Sequence, residues 1–349
     1  MACEATSVLG APGRVFYVSQ TDVYVWTTDS IYGENQTKAS SMLYKMPLDG
    51  AAPSAIGVSG TPVDQFSFLE SSDGNLNVLV RSGGYGEQMW GSESSTGSVA
   101  LLRLPLSSFS DGSESASTER YREMPTPEGY TFQNRFVGNY LLYGTGSGWG
   151  QPVNKDSADL FVVNYSDGEV HHLKLTHGVD RIEQMGRDAI VVGTNGADLY
   201  FSPIRLGDLP RVRESYVRKD ASQGELRSHG FFYKPSGKDT GLVGLPIARS
   251  ERSGYQHLVE NSAAILFLRN DNLDLNEIGE LEAESRSTND NCKASCVDWY
   301  GNARPIFIAD RVFALMGYEL VEGSVAGNRI RETRRINYSP NYVKRYSEE

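Results

Sequence analysis

Several features of common protein classes are absent from this sequence of 349 residues. No apolar run approaches the ~18–20 residues that a helix needs to cross a bilayer. Basic residues are outnumbered by acidic ones, 33 to 44, so the net charge is −11. That balance argues against a general nucleic-acid binder, which normally has a basic face. Hydrophobic residues still make up 39% of the chain, which excludes a disordered protein because a sizeable core can be buried.

Helix signals are nearly absent, since no stretch longer than a few residues has apolar positions at helical spacing. Short β-rich runs recur instead, separated by Gly, Asn, Asp, Ser and Pro. The runs fall into six groups of four, which begin at Arg14, Val63, Phe132, Val179, His229 and Arg304. In each group the first strand ends in a tight turn, the second is apolar on both faces, and the fourth is the most polar. A second strand of this kind is typical of a sheet that lies between two neighbouring sheets.

This repeat of four strands predicts an all-β fold, a β-propeller of four-stranded blades, because radial repetition of such sheets protects their edges. A β-sandwich also uses many short strands, but it does not predict a repeat of four. The chain would hold six blades, and an intact longer protein would have room for seven or eight. The propeller is expected over residues 14–338, after an N-terminal extension (residues 1–13) and before a C-terminal tail (residues 339–349). The units average about 58 residues against ~40–50 for compact blades, and the excess is assigned to loops at residues 29–41, 82–97, 107–118 and 145–157.

Cysteine is scarce, with residues at Cys3, Cys292 and Cys296 only. A disulfide between Cys292 and Cys296 would close a very small loop, which is feasible if the Cα atoms come within reach. The alternatives are free thiols or half of a zinc site, although no second Cys or His pair follows at zinc-ligand spacing. Cys3 is then left over, and an odd cysteine in a secreted protein indicates a partner in a missing segment or in another chain.

The two ends of the chain carry different signals. The first ten residues lack a basic start and an apolar core, so they are not a secretory signal as they stand. Either the protein is cytoplasmic or the chain begins inside a longer precursor. The last 21 residues have three acidic and six basic residues, Arg329, Arg331, Arg334, Arg335, Lys344 and Arg345. A solvated edge strand and tail is the favoured interpretation of this basic end, and docking on an acidic surface is the alternative.

Polar residues collect at the start of the first strand in several groups. They are Asp64, Gln65, Asn134, Arg135, Asp180, Arg181, Glu183, Arg227, His229 and Arg304. In a propeller these residues would converge on the central channel and could bind a polar ligand or an ion. The alternative is a channel lined by polar groups that water satisfies. The binding candidates among them are Gln65, Arg135, Arg181, His229 and Arg304.

No catalytic or metal motif occurs in the sequence. There is no G-x-S-x-G elbow and no H-E-x-x-H pair, so neither a cofactor nor a metal site is expected. The spacing of carboxylates for glycoside hydrolysis is set by the fold, and the candidates for that role are Asp64, Asp180 and Glu183. Trp90 and Trp149 lie in glycine-containing loops, where an exposed indole would bind a sugar ring or a partner. The alternative is that each indole folds back over a blade edge.

Four stretches carry more specific patterns. They are VDQFSFLESSDGNLNVLV from Val63, FQNRFVGNYLLYG from Phe132, IEQMGRDAIVVG from Ile182, and the run from ADLYFSPIRLGDLPRVRESYV at Ala197 through SHGFFYK at Ser228 to GLPI at Gly244. They resemble segments of the secreted bacterial β-propeller domain proteins, and the resemblance covers most of residues 14–320. It implies a propeller fold and export, and hence a secreted, periplasmic or cell-surface location, but it implies no defined activity and carries over no catalytic residue. The family's Asp-His pair is Ser228-His229 here, and family members usually carry further repeats before the stretch that matches residue 14.

We therefore expect a non-catalytic extracytoplasmic propeller that serves as a protein-binding, ligand-binding or assembly module. Its expected partner is another protein chain or the missing N-terminal portion of its own precursor, and a polysaccharide is a further candidate ligand. The competing hypothesis is a polysaccharide hydrolase or lyase with Asp64, Asp180 and Glu183 around the channel. Neither a nucleic-acid partner nor a membrane span is expected.

Overall fold

The structure is a computed structural model that describes residues 7–11, 13–28, 41–84, 95–129, 131–146, 157–249, 263–284 and 303–338. These residues form 28 strands and four short 3-10 helices, so the prediction of an all-β fold is confirmed. The chain is divided into two compact units. The first unit is Met1–Gln151 with Asp159–Leu173, and the second is Pro152–Ala158 with Lys174–Glu349. No helix within the described ranges is long and apolar enough to cross a membrane.

The first unit contains three sheets. In chain order its strands are β1 (Gly13–Val18), β2 (Asp22–Thr28), β3 (Ser41–Pro47), β4 (Ser54–Val58), β5 (Thr61–Pro62), β6 (Phe68–Ser71), β7 (Asn75–Gly84), β8 (Ser95–Pro105), β9 (Asp111–Ser115), β10 (Tyr121–Met124), β11 (Thr131–Val137), β12 (Tyr140–Gly146), β13 (Ala158–Asn164) and β14 (Val170–Leu175). The first sheet has the order β1-β2-β3-β4-β9, and the third has β11-β12-β13-β14. The second sheet has the order β10-β8-β7-β5, and β6 also pairs with β7. Each sheet therefore contains the predicted four-strand antiparallel meander.

The second unit contains three further sheets of the same kind. Its strands are β15 (Arg181–Met185), β16 (Asp188–Asn195), β17 (Asp198–Arg205), β18 (Arg211–Val212), β19 (Tyr216–Arg218), β20 (Ala221–Gln223), β21 (Phe232–Pro235), β22 (Thr240–Arg249), β23 (Ala263–Asp271), β24 (Asp274–Glu282), β25 (Ala303–Ile308), β26 (Arg311–Met316), β27 (Glu319–Ala326) and β28 (Arg329–Asn337). The fourth sheet has the order β15-β16-β17-β18, with β19 also on β17. The fifth has β20-β22-β23-β24, with β21 also on β22, and the sixth has β25-β26-β27-β28. The six predicted groups thus correspond to six sheets.

The hydrophobic core of each unit lies between consecutive sheets. In the first unit, Trp26 of the first sheet packs in one buried cluster with Phe68 and Leu76 of the second sheet. In the second unit, Phe201 of the fourth sheet shares a buried cluster with Leu245 of the fifth. Complete burial of such a side chain contributes roughly 1.5–3 kcal/mol. The apolar second and third strands of each group therefore hold the sheets of a unit together.

Two-residue turns connect the first and second strands of three sheets, and the first residue of each turn has a left-handed backbone. Gly138 and Gly186 take this position in the third and fourth sheets, with φ of 56° and 68°. Ala309 takes it in the sixth sheet, with φ of 51°. Glycine accepts this conformation freely, whereas a Cβ raises its energy by roughly 1–2 kcal/mol. The sixth sheet thus contains a strained residue where the others have glycine.

Ala309→Gly is expected to raise the free energy of unfolding by about 0.5–1 kcal/mol. Relief of the left-handed strain exceeds the extra freedom that glycine gives to the unfolded chain. Urea denaturation followed by tryptophan fluorescence measures the difference. The matched control is Gly186→Ala, which introduces the same strain into the fourth sheet and should destabilise by a similar amount. A less stable Ala309→Gly variant would contradict this account.

The predicted loop at residues 107–118 is corrected by the structure, because it contains β9. This strand pairs in parallel with β4 of the first sheet, and the pairing includes mutual backbone hydrogen bonds between Ala55 and Ser110 of 2.9 and 3.1 Å. The outer edge of β4 is thereby covered. An exposed strand edge carries unpaired amide and carbonyl groups. Residues 111–115 have a composition that is typical of turns, but they form a strand because they pair with these groups of β4. The predicted loop at residues 82–97 is corrected at both ends, because residues 82–84 and 95–97 lengthen β7 and β8.

Three predicted strands are shortened or interrupted in the structure. Of the strand expected from Val63, only the part from Phe68 onward forms, as β6, and the two-residue strand β5 precedes it. The strand expected from Arg211 is divided into β18 and β19. The strand expected from His229 begins only at Phe232. Residues 63–67 and 224–231 instead form short turns, and these turns hold several of the predicted site residues.

Candidate functional site

Two turns interrupt the first strands of their sheets and carry residues that were predicted to bind a ligand. The first turn, residues 63–67, separates β5 from β6 and contains a 3-10 helix at Gln65–Ser67. The second turn, residues 224–231, separates β20 from β21 and contains a 3-10 helix at Ser228–Gly230. The first turn belongs to the first unit and the second turn to the second unit, so each is described within its own unit.

The first turn is held by a reciprocal capping arrangement. Asp64 Oδ1 accepts a hydrogen bond from the Phe66 amide at 2.8 Å. Ser67 Oγ accepts from the amides of Val63 and Asp64 at 3.1 and 3.2 Å. Such a capping box satisfies amides that would otherwise lack partners. Asp64 is therefore engaged in fixing the turn, and Gln65 is left exposed at its tip.

The third sheet supports the first turn from the side. Asn134 Nδ2 donates to Asp64 Oδ1 at 3.3 Å, and Asn134 is buried. The Arg135 guanidinium lies 4.0 Å from the centre of the Phe66 ring, a cation–π contact that orients both groups. Within the first unit, the structure thus brings together Asp64, Gln65 and Arg135 of the predicted set.

The backbone of the second turn is held by the side chain of Arg181, which is only 4% exposed. Its Nη2 donates to the backbone carbonyls of Glu225 and Arg227, at 2.7 and 3.0 Å. Its Nε donates to Gln223 Oε1 at 2.7 Å, and its Nη1 is 3.0 Å from Glu183 Oε1. All three guanidinium nitrogens of Arg181 are thus engaged in fixing the protein's own structure. A buried guanidinium requires such pairing, because burial without partners is strongly unfavourable.

The Glu225 carboxylate makes contacts within the second turn. Its Oε1 accepts from the Arg227 amide at 2.8 Å, and its Oε2 is 3.5 Å from His229 Nε2. Leu226, between these contacts, is 65% exposed, and Arg227 and Ser228 are exposed as well. A rigid turn therefore presents an apolar group, a guanidinium and a hydroxyl outward. Leu226 and Ser228 are not among the predicted site residues, because neither residue type suggests a site without knowledge of its exposure.

Asp180 and Arg304, the remaining predicted residues of the second unit, occupy different surroundings. Asp180 Oδ2 accepts from the Thr194 amide at 2.9 Å and from Thr194 Oγ1 at 3.2 Å. Asp180 therefore secures the end of β16 next to the first strand of its sheet. Arg304 is exposed on β25.

A buried histidine, His177, forms a network that was not predicted as a site. It is 3% exposed, and Nδ1 is 2.8 Å from the Gly178 carbonyl oxygen, which fixes the proton on Nδ1. Its Nε2 lies 2.6 Å from Ser202 Oγ, which in turn lies 2.6 Å from Ser215 Oγ. The ring stacks on Tyr200. Burial lowers the pKa of His177 below its usual value, although the Gly178 carbonyl partly opposes that shift.

Acidification is expected to destabilise the protein in part through His177. Because its pKa is lower in the folded than in the unfolded state, the unfolded state binds more protons below about pH 6.5. The free energy contributed by neutral His177 is present above that pH and is lost as the pH falls. Urea denaturation at about pH 7.5 and about pH 5.5 measures the loss, which should be smaller in His177→Gln. An equal loss in both proteins would contradict this assignment.

Several predicted residues lie outside the described residues. They are Cys3, Trp90, Trp149, Cys292 and Cys296. The predicted disulfide and the two tryptophan-bearing loops therefore remain predictions. Within the part of the chain that the structure describes, no group of three or more His, Cys, Asp and Glu side chains is arranged to hold a metal ion.

Comparison of the sequence with known families finds no family that matches the chain, and no curated protein matches it. The expected membership of the secreted bacterial β-propeller family thus gains no support from these comparisons.

Solved structures that match the chain include β-propeller proteins. The WD40 domain of Toxoplasma gondii coronin matches at 10% identity and a TM-score of 0.41, over 93% of this chain and 70% of that one. The Pseudomonas aeruginosa periplasmic gluconolactonase PpgL matches at 12% identity and a TM-score of 0.39, over 93% of this chain and 85% of that one. The polysaccharide lyase Uly1 matches at 10% identity and a TM-score of 0.35, over 95% and 91%. Likeness at this level assigns no function.

Proposed function

We propose that the chain is a six-bladed β-propeller that serves as a non-catalytic binding module outside the cytoplasm. Six sheets, each containing a four-strand meander, support the fold. The extracytoplasmic location rests on the sequence resemblance to secreted propeller proteins. The binding role rests on the contacts of the predicted carboxylates and on the two turns.

The observation that carries the proposal is that every candidate catalytic carboxylate is used to hold the protein's own backbone or a buried cation. Asp64 accepts from an amide of the first turn, and Asp180 accepts from the Thr194 amide. Glu183 is 5% exposed and pairs with Arg181. A general acid or base must reach the proton that it transfers, and a carboxylate that is buried in a structural ion pair is poorly placed to do so.

The exposed residues of the turns are better suited to recognition. Gln65 on the first turn and Leu226, Arg227 and Ser228 on the second are presented by backbone that buried polar contacts fix. Preorganised groups lose little conformational entropy when a ligand binds. An apolar side chain next to a guanidinium suits a partner with both apolar and anionic groups, such as a protein surface.

The experiment has a binding arm and a turnover arm. In the first, the labelled protein is applied to arrays of peptides and polysaccharides, and saturable binding to at least one class is expected. Leu226→Ala/Arg227→Ala should weaken that binding at least about tenfold, while the matched surface variant Arg211→Ala/Arg213→Ala should not. In the second arm, the same polysaccharides are assayed for new reducing ends or unsaturated products.

Two results would overturn the proposal. One is polysaccharide turnover that Asp64→Asn, Asp180→Asn or Glu183→Gln abolishes without a change in melting temperature. The other is binding that is equally weakened in the turn variant and in the surface control.

A further inference from the structure

The outer strand of the sixth sheet, β28, carries a row of arginines in an otherwise acidic protein. Among the described residues no strand lies beyond it, since the order is β25-β26-β27-β28. Arg335 is engaged within the unit, because it pairs with Glu319 at 2.8 Å and donates to the Glu282 carbonyl at 2.9 Å. Arg329, Arg331 and Arg334 are exposed. In the described part of the chain, none of these three has an ion-pair partner within 4.0 Å.

A β-bulge places the three exposed arginines on one face of the sheet. Arg329 and Arg331 stand opposite Ala326 and Ser324 of β27 in regular register. The register then shifts between Glu322 and Gly323, so that Thr333 is the extra residue. Without it, strict alternation would turn Arg334 to the face that packs on the fifth sheet. The shift returns Arg334 to the side of Arg331, opposite Glu322.

The carboxylate that stands opposite Arg334, that of Glu322, is already paired. Glu322 is held by Arg311 through two contacts, of 2.7 Å to Nε and 2.9 Å to Nη2. The Arg311 guanidinium chiefly, and the charge of Arg334 to a smaller extent, lower the pKa of Glu322, so the carboxylate stays ionised. Arg334 therefore faces a carboxylate that is already held by two contacts from Arg311. The three arginines form a cationic strip along the strand.

We infer that this strip is a docking site for an extended acidic peptide segment, which adds to the sixth sheet beyond β28. An extended peptide places alternate side chains about 6.6–6.8 Å apart on one face, the same repeat as that of Arg329 and Arg331. Carboxylates at alternate positions would then stand opposite the guanidinium groups as cross-strand pairs. The partner's backbone would pair with the outward amide and carbonyl groups of β28, as in other strand-addition complexes.

Charge complementarity selects an acidic partner over a second copy of the same strand. Two β28 strands would bring like charges together, which disfavours pairing. A free polyanion would satisfy the arginines but leave the backbone edge unpaired. This inference does not depend on the two turns, since β28 contains no turn residue, and either proposal can fail alone.

The test uses fluorescence anisotropy with the intact chain and two labelled nine-residue peptides. The pairing peptide is EVETEVETE, and the control peptide EVEPEVEPE has the same charge, but its two prolines fix φ near about −65° and remove two backbone amides, which disfavours the extended strand. Saturable binding of the pairing peptide is expected, with weaker binding of the proline peptide. The affinity should fall as NaCl is raised from about 50 mM to about 500 mM, because the contacts are ionic and exposed.

Matched arginine variants locate the site. Arg329→Ser/Arg331→Ser should weaken the pairing peptide roughly threefold to tenfold. Arg211→Ser/Arg213→Ser removes the same charge near β18 and should leave the affinity within about twofold. The charge-reversed Arg329→Glu/Arg331→Glu variant should lose the acidic peptide and bind KVKTKVKTK instead. Circular dichroism of each variant establishes that the sheets are intact.

Three results would overturn the inference. They are no saturable binding of EVETEVETE, an equal loss in the two serine variants, and a proline peptide that binds as tightly as the pairing peptide. Inorganic polyphosphate is included as a separate probe. If it binds in an Arg329- and Arg331-dependent way while the peptide does not, the strip is a polyanion surface and strand addition is excluded.

Discussion

Arg181→Met is expected to lower the free energy of unfolding by about 3–5 kcal/mol, the usual cost of removing one partner of a buried ion pair. The variant leaves Glu183 buried without the guanidinium that now lies 3.0 Å away. It also removes the donor to the Glu225 and Arg227 carbonyls. Methionine fills most of the volume of the arginine stem, so the loss reports polar contacts rather than a cavity.

The matched control for this prediction is Arg187→Met in the same unit. Arg187 lies 3.2 Å from Asp239 but its side chain is 57% exposed. Solvent screens an ion pair of this kind, so its removal should cost below about 1 kcal/mol. Guanidinium chloride denaturation of the unmodified protein, Arg181→Met and Arg187→Met measures both losses in the free energy of unfolding. The midpoints Cm are compared where the slopes m are equal.

Hydrogen exchange provides a second measurement for the Arg181 variant. Because Arg181 holds two carbonyls of the second turn, the amides of residues 224–231 should exchange faster in Arg181→Met than in Arg187→Met. The residues of the first unit should be less affected. Arg181 would not be the support of the turn if its replacement were as mild as that of Arg187, or if the exchange of residues 224–231 were unchanged.

The strand pattern could be predicted from the sequence because it depends on local properties. An alternating or continuous apolar run with a glycine turn after it encodes a strand whichever residue it later packs against. The second strand DAIVVG from Asp188 is an example, and all six of its residues are buried. The strand β9 could not be predicted from local properties of the sequence. Its composition, DGSES, favours a loop, and only the unpaired edge of β4, which is more than 50 residues earlier in the chain, makes it a strand.

The candidate site could be predicted by residue type but not by role. Arg181 and Glu183 are predicted as site residues because polar residues at the start of first strands would converge on the central channel of a propeller. Whether such a residue faces a ligand or supports the backbone depends on contacts with residues that are distant in the sequence. Arg181, for example, donates a hydrogen bond to the carbonyl of Arg227, which is 46 residues later. The exposed Leu226 was missed for the opposite reason, since leucine at the tip of a turn gives no polar signal. Exposure and hydrogen-bond geometry decide these roles, and neither can be read from composition.

Gly193→Ala is expected to lower the free energy of unfolding by about 3 kcal/mol or more. Gly193 lies on β16, and a Cβ at this position would lie 1.7 Å from the Gly178 carbonyl oxygen and 2.8 Å from His177 Nδ1. The carbonyl is backbone, so a rotamer change cannot relieve the clash. The Gly178 amide is also bonded to the Thr194 carbonyl at 3.1 Å, which prevents the segment from moving away without breaking that bond. The Gly178 carbonyl also orients His177, so the substitution should disturb the histidine network as well.

Gly138→Ala separates this close approach from the conformational cost of replacing glycine. Gly138 has a left-handed backbone but has open space where a Cβ would be placed, so its replacement should have only the net cost of about 0.5–1 kcal/mol that is expected for Gly186→Ala. Gly193 has no left-handed backbone, and its larger expected loss is therefore steric. The His177 ring also gives a spectroscopic readout, because its Nδ1 proton signal should shift or vanish in Gly193→Ala and persist in Gly138→Ala. If the two variants were equally stable, the close approach of residues 177–178 to β16 would be wrong, and with it the buried environment that lowers the pKa of His177.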